Sequence, residues 1–174
     1  MAGRLYQVRP GFGFLGFAGT AHAPGNTAIL ASSEWELQFK PVVAASVPAN
    51  GSTVRFVNRT NNECLDVAGG RDLITWPCHG GWNQRFTWQD GRLMQNGQCL
   101  DVTGSQRARS TQVILWPCHG GANQRWTIDA DGRIASQLSG VQWCLDVHRE
   151  HGDAVKTWEC HATSTDQRFA FERL

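Results

Sequence analysis

The sequence has few lysines, little net charge and no long apolar segment. Lys40 and Lys156 are its only lysines among 16 basic residues, and the formal net charge is +1. A protein that binds nucleic acid or an anionic membrane electrostatically needs a basic patch, so neither partner is expected. No segment approaches the roughly 20 apolar residues of a membrane-spanning helix. We therefore expect no transmembrane segment.

The sequence also lacks the short motifs of common catalytic centres. It contains no Gly-x-Ser-x-Gly, no His-Glu-x-x-His and no phosphate-binding loop. Its candidate carboxylates occur once in each of three repeats and not as the single acid and base pair of a glycosidase. We therefore expect a protein that binds its ligand without turning it over.

What the sequence does contain is a threefold repeat. Leu115 to Trp126 reads LWPCHGGANQRW, and nine of its twelve positions are identical in Thr75 to Phe86, TWPCHGGWNQRF. Thr157 to Phe169 is a looser third copy with one inserted residue. Three copies of one pattern indicate three similar structural units. Each copy follows the tetrapeptide Cys-Leu-Asp-Val, found at Cys64 to Val67, Cys99 to Val102 and Cys144 to Val147.

All six cysteines lie in the repeats, two in each. Repetition favours the pairing that every unit can make within itself, and each such disulfide stabilises the fold by about 3 kcal/mol. This usage favours an oxidising compartment. A zinc site is the alternative, but adjacent Cys and His residues ligate one ion poorly, so we expect no metal and no cofactor. The predicted disulfides are Cys64 with Cys78, Cys99 with Cys118, and Cys144 with Cys160.

Residues 1–50 belong to no repeat. Gly11 to Thr20, GFGFLGFAGT, lies in a poor match to a signal peptide, because glycines interrupt the apolar centre. We interpret residues 1–50 as an N-terminal extension that docks on the chain's own repeats or on a protein partner. Its last part, Pro41 to Gly51, has the small residues and proline of a linker.

From Thr53 onward the sequence alternates short strand candidates with turn signals. Thr53 to Val57 has a period of two, and Asp90-Gly91 and Asn96-Gly97 mark tight turns. No long segment has helical periodicity. The prediction is an all-β domain with about four strands per unit: one entering, one through Cys-Leu-Asp-Val, one ending at Trp-x-Cys and one through Gln-Arg-aromatic. Three units are too few for a propeller, so they must close around one threefold axis.

The ordered combination of Cys-Leu-Asp-Val, Trp-Pro-Cys and Asn-Gln-Arg-Trp resembles the ricin B-type lectin family. That resemblance covers about residues 53–174 and implies a β-trefoil whose lobes each carry a Gln-x-Trp triplet. The triplet is complete at Gln124-Arg125-Trp126 and ends instead in Phe86 and Phe169 in the outer lobes. Phenylalanine is able to fill the same apolar position. The domain is predicted over residues 51–174, with lobes at about 53–90, 91–131 and 132–174.

The resemblance also implies one shallow sugar site in each lobe. In such a site a carboxylate accepts hydrogen bonds from sugar hydroxyls, an aromatic ring stacks on the sugar, an amide contacts another hydroxyl, and a glutamine holds the carboxylate in place. In this order the implied residues are Asp101, Trp116, Asn123 and Gln124 in the middle lobe, Asp66, Trp76, Asn83 and Gln84 in the first lobe, and Asp146, Trp158, Asp166 and Gln167 in the third.

The three lobes are not equivalent in sequence. Asp166 replaces the amide by a second carboxylate next to Asp146, which disfavours the third site unless Lys156 compensates for the repulsion. The first lobe has a shorter loop, Ala68 to Leu73, than the middle lobe's Thr103 to Val113. We therefore rank the middle lobe first, the first lobe second and the third lobe last.

Each repeated residue also has a simpler interpretation. The Gln-Arg-aromatic triplets are expected to form the core scaffold more than to touch a ligand, and the aspartates have turn capping as an alternative. The repeated tryptophans are expected to be exposed stacking surfaces, with burial as the alternative. His79, His119 and His161 are expected only to hydrogen-bond within loops. The tryptophans that do not recur, Trp82, Trp88 and Trp143, are expected to pack or to lie at a rim.

The predicted function is that of a lectin module that binds galactose-type or related glycans on a cell surface or glycoprotein. The expected location is secreted or at an extracellular surface. One alternative is a receptor-binding or attachment subunit of a toxin complex, virion or phage, docked through residues 1–50. A second alternative is a structural trefoil whose sugar sites have decayed.

Overall fold

A computed structural model describes residues 47–147 and 153–174. The expectations for residues 1–46, including the docking arm and most of the linker, lie outside the described residues. The end of the predicted linker is in contact with the domain, because the backbone N–H of Gly51 donates to the Trp88 carbonyl over 2.8 Å.

The described chain forms twelve β-strands, four in each predicted lobe. The first lobe contains β1 Thr53–Asn58, β2 Cys64–Ala68, β3 Asp72–Trp76 and β4 Phe86–Gln89. The middle lobe contains β5 Arg92–Gln95, β6 Gln98–Val102, β7 Thr111–Pro117 and β8 Trp126–Ile128. The third lobe contains β9 Ile134–Ser136, β10 Trp143–Asp146, β11 Lys156–Glu159 and β12 Phe169–Arg173. Short 3₁₀ helices lie at Trp82–Gln84, Thr103–Ser105 and Ala122–Gln124.

The predicted strand pattern is confirmed, with one difference in where the last strand of a lobe begins. Each of these strands starts at the aromatic residue of the triplet: Phe86, Trp126 and Phe169. In the first two lobes, the preceding glutamine lies in a 3₁₀ helix, not in the strand. In a strand the Gln84 or Gln124 side chain would project from a face of the sheet, whereas the 3₁₀ turn lets it fold back onto its own lobe.

Six strands pair edge to edge into a closed barrel. Strand β1 pairs with β12 and β4, β4 pairs with β5, and β8 pairs with β9. The two remaining seams are closed by backbone hydrogen bonds from Trp126 N to Gly91 O (2.7 Å) and from Phe169 N to Gly132 O (2.9 Å). Closing a sheet in this way removes its exposed edges.

The other six strands form three hairpins, β2–β3, β6–β7 and β10–β11, one per lobe. The hairpins also contact each other, since β7 pairs with β11 and Asp72 of β3 pairs with Ile114 of β7. A backbone hydrogen bond of 2.7 Å from Leu115 N to Arg71 O joins the turn of the first hairpin to β7. The turn of the first lobe therefore lies against the middle lobe.

The core is built from the repeated apolar positions. Phe86, Trp126 and Phe169 are each at most 2% exposed, and the leucines of the three Cys-Leu-Asp-Val segments are fully buried. The Trp126 indole Nε1 also donates to the Leu100 carbonyl over 3.0 Å. Phenylalanine has no such donor, so the middle lobe carries one buried hydrogen bond that the aromatic positions of its neighbours cannot form. None of the helices in residues 47–147 and 153–174 is long and apolar enough to cross a membrane.

Replacing Trp126 by phenylalanine tests the contribution of this buried indole. We expect Trp126→Phe to lower the free energy of unfolding by about 1–2 kcal/mol, because it removes a buried hydrogen bond and leaves a small cavity. Urea denaturation followed by circular dichroism measures the change. The matched control is Trp82→Phe at an indole that is 58% exposed, where we expect a change within about 0.5 kcal/mol. Equal losses in the two variants would contradict the assignment.

Candidate carbohydrate-binding sites

In the middle lobe, a nearly buried carboxylate accepts hydrogen bonds from three side chains. Asp101 is 4% exposed. Its Oδ2 accepts from Asn123 Nδ2 at 2.9 Å and from Gln124 Nε2 at 2.8 Å, and lies 3.2 Å from His119 Nε2. Among the described residues no protein donor bonds to the other oxygen, Oδ1. The protein thus fixes the carboxylate through one oxygen and leaves the other as an acceptor for a ligand.

The orientation of His119 follows from its own loop. Its Nδ1 accepts a hydrogen bond from the Gly121 backbone N–H at 3.2 Å, so the proton of the neutral ring is on Nε2, which faces Asp101. Gly121 has no room for a side chain, because a Cβ there would lie 2.6 Å from Asn123 Oδ1 and 2.8 Å from His119 Cε1. The His-Gly-Gly segment therefore lets the imidazole and the amide approach the same carboxylate.

Gln124 connects the site to the scaffold. Its side chain is fully buried. Nε2 donates to Asp101 and also to the Pro117 carbonyl at 3.0 Å, while Oε1 accepts from the backbone N–H groups of His119 at 2.8 Å and Gly120 at 3.3 Å. All the polar atoms of this side chain are therefore used, as burial requires. One residue closes the loop after β7 and holds the carboxylate.

Asp101 and Asn123 line a shallow cavity of about 330 Å³ whose other walls include apolar, hydroxyl-bearing and basic side chains. Trp116 contributes an indole that is 45% exposed. The 3₁₀ turn at Thr103–Ser105 forms one wall. Fixed acceptors, an amide and an exposed ring are the groups that bind a molecule with hydroxyls on one side and C–H bonds on another. The remaining lining residues are Arg71, Ile114 and His119.

The first lobe repeats this arrangement with one difference. Asp66 is 3% exposed, and its Oδ2 accepts from Gln84 Nε2 at 2.9 Å and lies 3.4 Å from His79 Nε2. Asn83 Nδ2, however, lies 2.8 Å from both carboxylate oxygens. A ligand hydroxyl at Asp66 must therefore share the acceptor with Asn83. Trp76 is 41% exposed at the end of the same hairpin.

The third lobe keeps the glutamine and changes its surroundings. Gln167 Nε2 donates to Asp146 Oδ2 at 2.8 Å and to the Glu159 carbonyl at 2.9 Å, and its Oε1 accepts from His161 N at 2.7 Å. Asp166 has no N–H in its side chain, so the amide donor of the other lobes has no counterpart here. Trp158 is only partly exposed.

The structure brings each predicted aspartate and glutamine together in all three lobes, and each predicted asparagine joins them in the first two. Trp116 lines the same cavity as Asp101. Sequence reasoning missed two participants, His119 and Arg71, both of which line that cavity. The recurrence of a histidine after the second cysteine of each repeat was a signal for His119. No signal in the sequence indicated Arg71, because this residue comes from another lobe.

The structure also shows the predicted disulfides and the tryptophans that do not recur. The three disulfides join Cys64 to Cys78, Cys99 to Cys118 and Cys144 to Cys160, as expected. Of the tryptophans that do not recur, Trp88 and Trp143 are buried and Trp82 is exposed. Within the described ranges, no group of three or more His, Cys, Asp or Glu side chains is arranged to hold a metal ion.

Three four-stranded lobes, each with an aspartate held by a glutamine, define the class of protein: a β-trefoil with one candidate ligand site per lobe. Residues 89–173 match the model of the ricin-type beta-trefoil lectin domain, so this part of the chain is similar to the ricin B-type lectin family. Lectin domains are carbohydrate-binding domains. Among curated proteins, no sequence matches this chain.

Solved structures share the trefoil along most of the described chain. The designed threefold-symmetric protein ThreeFoil superposes with a TM-score of 0.63 and 26% identity, over 70% of this chain and 99% of its own. The C-terminal half of an earthworm R-type lectin, in complex with GalNAc, gives 0.59 and 23%, over 71% and 99%. A ricin B-like lectin from Macrolepiota procera, in complex with lactose, gives 0.62 and 19%, over 74% and 100%. An exo-beta-1,3-galactanase from Clostridium thermocellum gives 0.60 and 22%, over 74% of this chain but 31% of the enzyme.

Truncating Gln124 tests whether it supports the middle lobe. We expect Gln124→Ala to lower the free energy of unfolding by about 2–4 kcal/mol, because a buried carboxylate, a carbonyl and two backbone N–H groups each lose a partner. Chemical denaturation measures the loss. The control is Gln106→Ala in the exposed loop after β6, with an expected change within about 0.5 kcal/mol. A similar stability of the two variants would show that Gln124 is not structurally required.

Proposed function

We propose that the protein is a lectin that binds galactose-type glycans, with the middle lobe as its principal site. The observation that supports this most is the Asp101 carboxylate, which three side chains hold through Oδ2 while Oδ1 remains available at the cavity. An ionised carboxylate accepts two sugar hydroxyls without reorganising, since the protein has already fixed its orientation.

The exposed indole of Trp116 supplies the second requirement of a sugar site. A galactose ring has one face with few hydroxyl groups, and this face gains by leaving water for a flat aromatic surface. The two relatives in complex with GalNAc and lactose hold galactose-type sugars, which supports the same ligand class here.

The ranking of the lobes follows from the donors at each aspartate. Asp101 has an oxygen available, Asp66 shares both oxygens with Asn83, and the third lobe has Asp166, whose side chain cannot donate, in place of the asparagine. A single shallow site of this kind binds with a dissociation constant of about 1 mM, or roughly 4 kcal/mol. Two sites that engage one glycan-covered surface gain about 10² to 10⁴ in overall affinity. We propose that the first lobe contributes in this way to binding at an extracellular surface, to which three disulfides are suited.

Variants of the middle lobe test the proposed function. We expect Trp116→Ala to weaken binding of galactose or lactose about tenfold, because the stacking surface is lost while an exposed residue leaves the fold intact. We expect Asp101→Ala to abolish binding at this site. Sugar titration followed by NMR measures both, and Asp66→Ala and Asp146→Ala report the other lobes.

The matched control is Asp131→Ala in the turn before β9, where the side chain is 51% exposed. It is expected to bind sugar as the unaltered protein does. If the unaltered protein binds no galactose, N-acetylgalactosamine, mannose or glucose at tens of millimolar, the trefoil is a structural module and the proposal is wrong.

A truncation tests the alternative that the protein is the attachment subunit of a larger assembly. The truncation removes residues 1–46 and begins at Val47, because Gly51 and Ser52 are hydrogen-bonded to Trp88 and must be kept. We expect residues 47–174 to keep their unfolding temperature and sugar affinity, because the sites described lie wholly within them. Loss of sugar binding on truncation would contradict a self-sufficient lectin domain, whereas loss of a co-purifying protein alone would support an attachment role for the extension.

A further inference from the structure

An arginine from the first lobe lies in the cavity of the middle lobe. The Arg71 guanidinium carbon is 5.3 Å from the centroid of the Trp116 ring, within the range of a cation–π contact. Its backbone carbonyl is fixed by the hydrogen bond from Leu115 N. Arg71 lines the same cavity as Asp101 and Asn123. The cavity therefore carries a cation in addition to the groups that bind neutral hydroxyls.

The third lobe has a corresponding arginine, but that one is neutralised. Arg109 of the middle lobe lies 5.1 Å from the Trp158 ring centroid, and its Nε is 2.6 Å from Glu159 Oε2. The residue that matches Glu159 in the middle lobe is Pro117. Among the described residues no carboxylate forms an ion pair with Arg71. The charge at Trp158 is thus balanced within the protein, and the charge at Trp116 is not.

We propose that the middle-lobe site prefers an acidic saccharide, in which a carboxylate or sulfate group contacts Arg71 while ring hydroxyls contact Asp101. This inference rests on the proposed function, because it assigns a class of ligand to the same site.

The two charges of the cavity occupy different environments. Asp101 is almost completely buried and hydrogen-bonded, whereas Arg71 is exposed at the rim. A ligand with hydroxyls at one end and a single negative charge at the other therefore matches the cavity better than a free anion does.

Matched pairs of saccharides test the preference. Galactose is compared with galacturonate and galactose 6-sulfate, and lactose with 6′-sialyllactose, by NMR titration at low salt. We expect the unaltered protein to bind the best acidic member of these pairs about three- to fivefold more tightly than its neutral counterpart, a size typical of an exposed ion pair. In Arg71→Gln this ratio is expected to fall to about one. Raising the salt concentration should reduce the ratio in the same way.

Arg109→Gln is the matched control, since it removes an arginine on the equivalent tryptophan and is expected to leave the ratio unchanged. Comparison of galacturonate with galactose 6-sulfate distinguishes a carboxylate from a sulfate ligand. The inference is overturned if neutral sugars bind as tightly as acidic ones, if Arg71→Gln leaves the ratio unchanged, or if inorganic sulfate competes as well as galactose 6-sulfate. In those cases neutral binding lost in Asp101→Ala still supports the proposed function, whereas a protein that binds no saccharide at all refutes both.

Discussion

The hydrogen bond between the buried Asp101 carboxylate and Gln124 joins the scaffold of the middle lobe to the cavity that Asp101 lines. A buried carboxylate is costly unless donors surround it, and a buried amide must use both its ends. Gln124 meets both demands because its nitrogen holds Asp101 and its oxygen closes the loop at His119 and Gly120. The same chemistry recurs at Gln84 and Gln167, so the three lobes share one structural solution.

This solution also explains why we propose the carboxylate, and not the glutamine, as the group that contacts the ligand. Gln124 is fully buried and all its polar atoms are hydrogen-bonded within the protein, so it has no donor or acceptor left for a sugar. Asp101 has two oxygens, of which the protein uses one. His119 and Asn123 reach the same oxygen because Gly121 leaves space for both. Preorganisation of an acceptor in this way reduces the cost of binding a weak, strongly hydrated ligand.

The lobes differ most at their boundaries. Trp116 in the middle lobe and Trp158 in the third each lie under an arginine from the preceding lobe. Among the described residues, only Arg109, which lies over Trp158, has a carboxylate partner. Equivalent hairpins thus place the two tryptophans in chemically different surroundings. Divergence of the residue between the tryptophan and the cysteine, Pro117 in one lobe and Glu159 in the other, accounts for the difference.

Much of the fold was predictable because its determinants are local and repeated. The alternation in Thr53 to Val57, the Asp-Gly and Asn-Gly turns and the three cysteine pairs each act within one lobe, and repetition excludes most alternative pairings. The strand boundary at Phe86 and Trp126 was less predictable, because the 3₁₀ turn before it forms in response to Gln84 and Gln124 folding back onto a carboxylate about 20 residues earlier in the chain.

The sequence by itself determined the three lobes, the disulfides and the pairing of an aspartate with a glutamine in each lobe, since all of these lie within one repeat. Only the tertiary structure decided that His119 reaches Asp101 and that Arg71 lies over Trp116. The first depends on how closely a glycine turn lets two side chains approach. The second depends on how neighbouring hairpins pack around the threefold axis. The sequence of one repeat does not determine the distance between residues of different lobes.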